Sequence, residues 1–300
     1  MIHVVAVPAS LDDRGLDGLA QALPAWPPGE PLLVDARGTT WASPYGLASL
    51  LTLGQAIAEL KLPKPKLAVP DGDETRSYWG RMGFFHHAVE YFEVVGKIPR
   101  RGGEAATDAL LPVTAIRQAE DVHHVVGRLQ EGATRILTAE LGLEAKATMG
   151  FAMALSEACQ NIVEHAGTGG WVAAQTYFWR RRLGRKVAVI AVSDAGIGFR
   201  RSLEAFEAKK VGDRWGDGAA LESALLHGVS RFREPGRGQG LAGIKRYLLR
   251  WQGKIAIRSG TARLSVVPDW DDDVPLAEQL PFFPGSQVQI TIPAQETSSR

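Results

Sequence analysis

The sequence predicts an α/β protein built in two units, and three observations point there. Over residues 2 to 95, short apolar runs alternate with stretches whose apolar residues recur at helical spacing. Residues 96 to 109, GKIPRRGGEAATDA, are rich in glycine, proline and charge, the composition of a linker. Beyond them, apolar runs of strand type resume among further helical stretches, and several come as neighbours joined by short turns. A chain of 300 residues has room for about two domains.

In the first unit, IHVVAV (2 to 7) reads as a strand, and Leu16, Leu19 and Leu23 mark a helical pattern after it. Pro24 to Gly29 breaks the chain. PLLVDARG (31 to 38) reads as a buried strand ending in a polar turn, and Leu47, Leu50, Leu51, Ile57 and Leu60 lie at helical spacing over 44 to 60. KLAVP (66 to 70) is a third strand and YFEVV (91 to 95) a fourth. Strands alternating with helices favour a small α/β unit with a mostly parallel sheet.

The second unit opens with strand-like LLPVTAI (110 to 116) and a long helical pattern from Ala119 to Leu141. His123 and His124 on that stretch read as ordinary helix residues, because DVHHVV lacks the acid and arginine of a phosphoacceptor box. A helix carrying LSEACQNIVEHAG (155 to 167) follows. Two strands come next, WVAAQTYFW and KVAVIAVS, joined by the charged turn RRRLG. Residues 199 to 235 are polar and interrupted, with a helix expected from Ala219 to His227. PGRGQGLAGIKRYLLRW opens a helix with Leu241, Ile244, Leu248 and Leu249 on one face. KIAIRSG and ARLSVVP make a hairpin, 269 to 284 an acidic proline-bearing loop, and QVQITIP (287 to 293) a last strand before a flexible tail at 294 to 300.

The chemistry concentrates in the second unit. Glu157, Asn161 and His165 recur every four residues and form one polar stripe on an otherwise apolar helix. Polar groups on such a helix need partners, and phosphate with a metal ion fits them: a neutral amide oxygen suits a hard cation, and a carboxylate one turn away can take a proton. An ordinary helix end at His165-Ala166-Gly167 explains the same letters. Asp194-Ala195-Gly196-Ile197-Gly198 follows an apolar strand; its glycines permit close approach to a planar ring and positive φ. Gly236-Arg237-Gly238-Gln239-Gly240-Leu241 precedes a helix, where backbone N–H groups can meet phosphate. Gly238, Gly240 and Gly243 also satisfy the dinucleotide fingerprint. That reading fails, because no apolar strand precedes the motif and no acid follows near Arg258. No Walker lysine motif is present.

Glu157-x-x-x-Asn161, then Asp194-x-Gly196-x-Gly198, then Gly236-x-Gly238-x-Gly240-Leu241, in that order, resemble the motifs of the Bergerat-fold (GHKL) ATPases over roughly residues 111 to 293. That superfamily includes gyrase, the sensor histidine kinases and the anti-sigma-factor serine kinases, and the Glu157, Asn161, His165 spacing is most similar to the last. The resemblance implies an α/β sandwich over 110 to 293, a mixed and largely antiparallel sheet under helices. It implies that Asp194 hydrogen-bonds adenine, that Gly196 and Gly198 shape the base pocket with Ile197 between them, and that Asn161 holds Mg²⁺. Gly238, Gly240 and Leu241 would cradle the triphosphate, 199 to 235 would form a lid over ATP, and Glu157 would be the general base. VDARGTTWASPYGLASLL (34 to 51) in turn resembles the sulfate-transporter and anti-sigma-antagonist (STAS) domain over residues 1 to 95. There a phosphorylated Ser or Thr stands just before Gly-Leu. Here Pro44 and Tyr45 precede Gly46-Leu47, and Ser43 lies too far upstream to serve.

Composition narrows the partners. A net charge of +1 gives no bulk attraction to nucleic acid or membrane. The N-terminus lacks the basic start and apolar run of a signal peptide, and no stretch approaches 18 apolar residues, so a cytoplasmic protein is expected. Cys159 is the single cysteine, which leaves no internal disulfide, and His86-His87 lacks a third metal ligand nearby. The expected ligands are therefore ATP with Mg²⁺ and a protein partner of STAS or sigma-factor type, with a homodimer left open. Three classes remain: a regulatory serine/threonine kinase, an ATPase-driven conformational switch, and a non-catalytic nucleotide sensor.

Overall fold

The computed structural model describes residues 2–27, 29–99, 110–118, 121, 127, 131, 136–161, 168–180, 182–229 and 240–295. In the first unit, β1 (His3–Ala6), β3 (Leu32–Asp35), β5 (Lys66–Ala68) and β6 (Glu93–Val95) form an all-parallel sheet in the order β1-β3-β5-β6. A short parallel pair, β2 (Ser10–Leu11) with β4 (Trp41–Ala42), lies beside it. The crossovers carry α1 (Gly15–Ala22), α2 (Pro44–Glu59), α3 (Asp73–Arg81) and α4 (Phe84–Tyr91). The four expected strands are all present. The helices α3 and α4 are additional, and α3 buries only Trp79, so its sequence shows no apolar repeat.

In the second unit, seven strands pair antiparallel throughout: β7 (Leu110–Ile116), β8 (Gly170–Trp179), β9 (Arg185–Asp194), β10 (Lys254–Gly260), β11 (Ala262–Val266), β12 (Leu276–Ala277) and β13 (Phe283–Pro293). Their order is β12-β11-β10-β13-β9-β8-β7, so the last strand in the chain lies at the centre. The expected acidic loop is shorter than its letters suggest, because β12 forms within it and β13 begins at Phe283 rather than Gln287. Among the described residues the unit also carries helices α5 (Ala145–Asn161), α6 (Gly198–Val211), α7 (Asp217–Leu225) and α8 (Gly240–Arg250), with a short π-helical segment at Ile136–Glu140. Most of the expected 119–141 helix, Arg100 and residues 101–109 of the expected linker lie outside the described residues. Among the described residues no helix is long and apolar enough to cross a membrane.

Side chains alternate across a strand, so the large sheet has two faces with different partners. On one, Val172, Ile190, Val192, Ile257 and Ile290 pack against Phe151 and Leu155 of α5, Leu221 and Leu225 of α7, and Ile244 and Leu248 of α8. On the other, Trp171, Ala173, Ala191 and Phe283 join one continuous core with Val5, Val34, Leu67 and the leucines of α2. The helix α2 lies directly on β8, β9 and β13, buried from Pro44 to Ile57. The molecule thus stacks as parallel sheet, helices, antiparallel sheet, helices.

That interface also buries charge. Lys254 and Arg258, four positions apart on β10 and the second of them fully buried, point toward the first unit with Arg263 of β11. The Lys254 ammonium meets Asp13 at 3.0 Å, Asp273 at 2.8 Å and Asp271 at 3.2 Å. Burial works to lower the Lys254 pKa, and these carboxylates outweigh it and raise it. Arg258 donates to Asp17 at 3.0 Å and Arg263 to the Asp13 carbonyl at 3.1 Å.

Candidate functional site

Asp194 is the last residue of β9, on the sheet face that carries the second unit's helices. Its carboxylate accepts the Gly196 N–H at 2.9 Å, a turn closed by the side chain. Burial pushes its pKa up to about 7, against the hydrogen bonds from Gly196 and Ser286. A carboxyl held this way at a strand end is a ready acceptor for a donor such as an amine.

The loop after Asp194 is fixed by residues far away in sequence. Gly198 has φ +73°, and a Cβ there would lie 2.7 Å from the Ser259 hydroxyl. Ser259 accepts the Phe199 N–H at 3.1 Å and donates to the Gly285 carbonyl at 3.1 Å, tying the start of α6 to β10 and β13. Gly285 has φ +70°, and a Cβ there would sit 1.8 Å from the Asp194 carbonyl oxygen, so only glycine fits. Ser286 pairs with Asp194 across β9 and β13. Sequence reasoning missed Ser259, Gly285 and Ser286. The Gly-Ser step before the last strand was the one visible signal, a glycine marking a close backbone approach.

Helix α5 is described as far as Asn161. Phe151, Leu155 and Cys159, four apart, are fully buried and seat it on the sheet. Burial raises the Cys159 thiol to about 12, which makes it a core residue and no nucleophile. Glu157 and Asn161 continue the helix row that begins with the exposed Met149 and Met153; their side chains, and His165, lie outside the described residues.

Helix α8 begins at Gly240, with Leu241 partly buried against the core, while Gly238 lies outside the described residues. Leu249, expected on the buried face, is 60% exposed; Leu241, Ile244 and Leu248 form that face with Trp251 just past the helix end. Arg250 bridges Glu144 at 2.8 Å and Tyr247 covers Gly150, so α5 and α8 run antiparallel. The ends bearing Asn161 and Gly240 therefore share one end of the helix pair. The chain from Asn161 returns to the sheet at Gly170, which pairs with Asp194. The Asn161 and Gly240 motif ends thus lie together, and nine residues of chain link Asn161 to the strand end that pairs with Asp194.

The expected lid, 199 to 235, divides in two. Ala220, Leu221, Ala224 and Leu225 of α7 are core residues, and Asp217 holds Thr261 through its N–H (2.8 Å) and hydroxyl (2.7 Å). Helix α6 is largely polar, and Arg231, Arg233 and Arg237 lie outside the described residues. Among the described residues no cluster of three His, Cys, Asp or Glu could hold a metal ion.

The family model for histidine kinase-, DNA gyrase B- and HSP90-like ATPases matches residues 147–296, half of the chain. No curated protein matches the chain. The matched segment contains Asp194 and its loop, the converging ends of α5 and α8, and six of the seven strands. The chain belongs to the histidine kinase-, gyrase B- and HSP90-like ATPase family, whose members bind ATP.

Proposed function

We propose that this protein is an ATP-dependent regulatory kinase or ATPase of the anti-sigma-factor type, with a STAS-like first unit. The observation that carries this reading is the half-buried Asp194 carboxyl at a strand end, beside a turn that Ser259, Gly285 and Ser286 fix from two other strands. The carboxyl fits the exocyclic amine of an adenine base. In this reading Gly196, Ile197 and Gly198 border the base. Gly238, Gly240 and Leu241 meet the phosphates at the start of α8, where helix N–H groups favour anions. Asn161 is the proposed ligand for Mg²⁺, whose charge would offset that of the phosphates. Glu157 takes the proton from the attacking hydroxyl, of water or of a protein serine or threonine.

The STAS-like reading is supported by the four-stranded parallel sheet and by the path from Asp35 through a loop into α2 at Pro44. Ser43 is no phosphoacceptor in this fold. It is 1% exposed, caps α2 by accepting the Gly46 N–H at 3.2 Å, and donates to the Leu11 carbonyl. The first unit is therefore proposed as a regulatory element, with a further STAS-type or sigma-factor-type protein as the partner.

The test uses ATP labelled on the γ-phosphate, with and without cell extract. Wild type is expected to release or transfer label. Glu157→Gln should bind nucleotide as wild type does but react ~10²–10⁴-fold more slowly, because the amide cannot accept a proton. Turnover within about threefold of wild type would remove Glu157 from the role.

A further inference from the structure

At the end of the large sheet that carries Asp194, two rows of residues stand back to back. The row on the nucleotide side runs Gly170, Asp194, Ser286, Ser259. The row one residue along each strand runs Trp171, Ser193, Gln287, Arg258, and alternation turns it toward the first unit. Polar groups of the first unit hold three of these four. The Trp171 indole N–H donates to the Gln55 amide oxygen at 3.0 Å. The Ser193 and Thr52 hydroxyls share a hydrogen bond at 2.7 Å. Arg258 donates to Asp17 at 3.0 Å. The Gln55 amide also donates to the Thr168 carbonyl, on the segment that returns from Asn161 to β8.

Most of these contacts are dry, and only the Asp17 carboxylate keeps partial access to solvent. Thr52, Trp171, Ser193 and Arg258 are all at most 1% exposed, so no water replaces a lost partner. The leucines of α2 already supply the apolar contact that docking requires. Hydrogen bonds add direction, which leucines lack. Their targets sit one peptide from Asp194 and from Ser259, the two residues that shape the base-binding loop.

We infer that Thr52, Gln55 and Asp17 are positioning residues for the nucleotide site, so that the ATP site of this protein is completed by its first unit. The inference rests on the ATP-site reading and adds a dependence that this reading alone lacks. Asp13 provides the control. It crosses the same interface to Lys254, four residues from Arg258 and away from the two rows.

The experiment measures the Kd of Mg·ADP by calorimetry, and the Tm without nucleotide, on full-length variants. Thr52→Val and Gln55→Leu are expected to raise Kd about tenfold, the scale of a lost buried hydrogen bond. Thr52→Ser should restore Kd to within about twofold, and Asp13→Asn should lower Tm while leaving Kd within about twofold. If Thr52→Val does not fold, Ser193→Ala removes the same bond from the other side and carries the same expectation. Variants that lose Tm as Asp13→Asn does, yet bind like wild type, overturn the inference and leave the ATP site standing. A wild type that takes up no adenine nucleotide overturns the ATP site and this inference together.

Discussion

At the scale of single residues, desolvation holds Asp194 in a state that costs stability at neutral pH and above. Its folded pKa of about 7 lies above the ordinary carboxylate value, so folding favours the protonated form. Its contribution to stability is complete below about pH 4 and is lost as pH rises through about 7. Asp194→Asn, a neutral isostere, should therefore melt above wild type at pH 8 and level with it at pH 4. The same variant should bind adenine nucleotide more weakly, because the carboxylate acceptor is gone. Circular dichroism melts at both pH values and a nucleotide titration at pH 8 check the two halves. A variant that gains stability equally at both pH values would show that the carboxyl is not desolvated. Asp194, Gly196 and Gly198 are readable in the sequence because a strand followed by such a turn is a local pattern. Ser259, Gly285 and Ser286 are not, since strand register brings them to Asp194 from 65 to 92 positions away.

At the scale of elements, α2 shows what periodicity conveys and what it hides. Leu47, Leu50, Leu51 and Ile57 mark the helix, and Pro44 at its first turn after the Ser43 cap marks its start. The letters give no sign that the face bearing Ser49, Thr52 and Gln55 is buried too, because polar residues at helical spacing read as a solvated face. The cap is testable apart from the nucleotide. Ser43→Ala should cost about 1 kcal/mol, seen as a lower urea midpoint with unchanged slope, since one N–H of the first turn loses its acceptor. An unchanged midpoint would mean that the Gly46 N–H finds another partner. Helix α7 carries the opposite lesson. Its glycines and its place between two motifs suggest a lid, yet Asp217 and four buried apolar side chains fasten it to the sheet.

At the scale of the whole molecule, the two units share a core. The composition of 96 to 109 suggests separable domains, but a fragment of residues 111 to 300 would expose Trp171, Ala173, Ala191 and Phe283 and strip Lys254 and Arg258 of Asp13 and Asp17. The fragment is expected to aggregate, or to melt well below the full chain, in size-exclusion and calorimetric measurements. A fragment melting within a few degrees of the full chain would show that the interface contributes little. Sequence could not announce this, because Lys254, Arg258 and Arg263 look like the wet side of a hairpin until residues some 240 positions earlier cover them.

The central position of β13 also bears on when the protein becomes active in its own lifetime. During synthesis the parallel sheet and α2 emerge first and wait, with their apolar face unfilled, for a sheet that does not yet exist. Strands β8 and β9 can pair as a hairpin, but β10 has no neighbour on the β9 side until residues 283 to 293 have left the ribosome. Gly285 and Ser286, which fix the loop at Asp194, arrive in that same stretch. A chain that stops before β13 thus carries all three motifs of the proposed ATP site but lacks the strand that fixes the Asp194 loop, and is expected to bind no ATP.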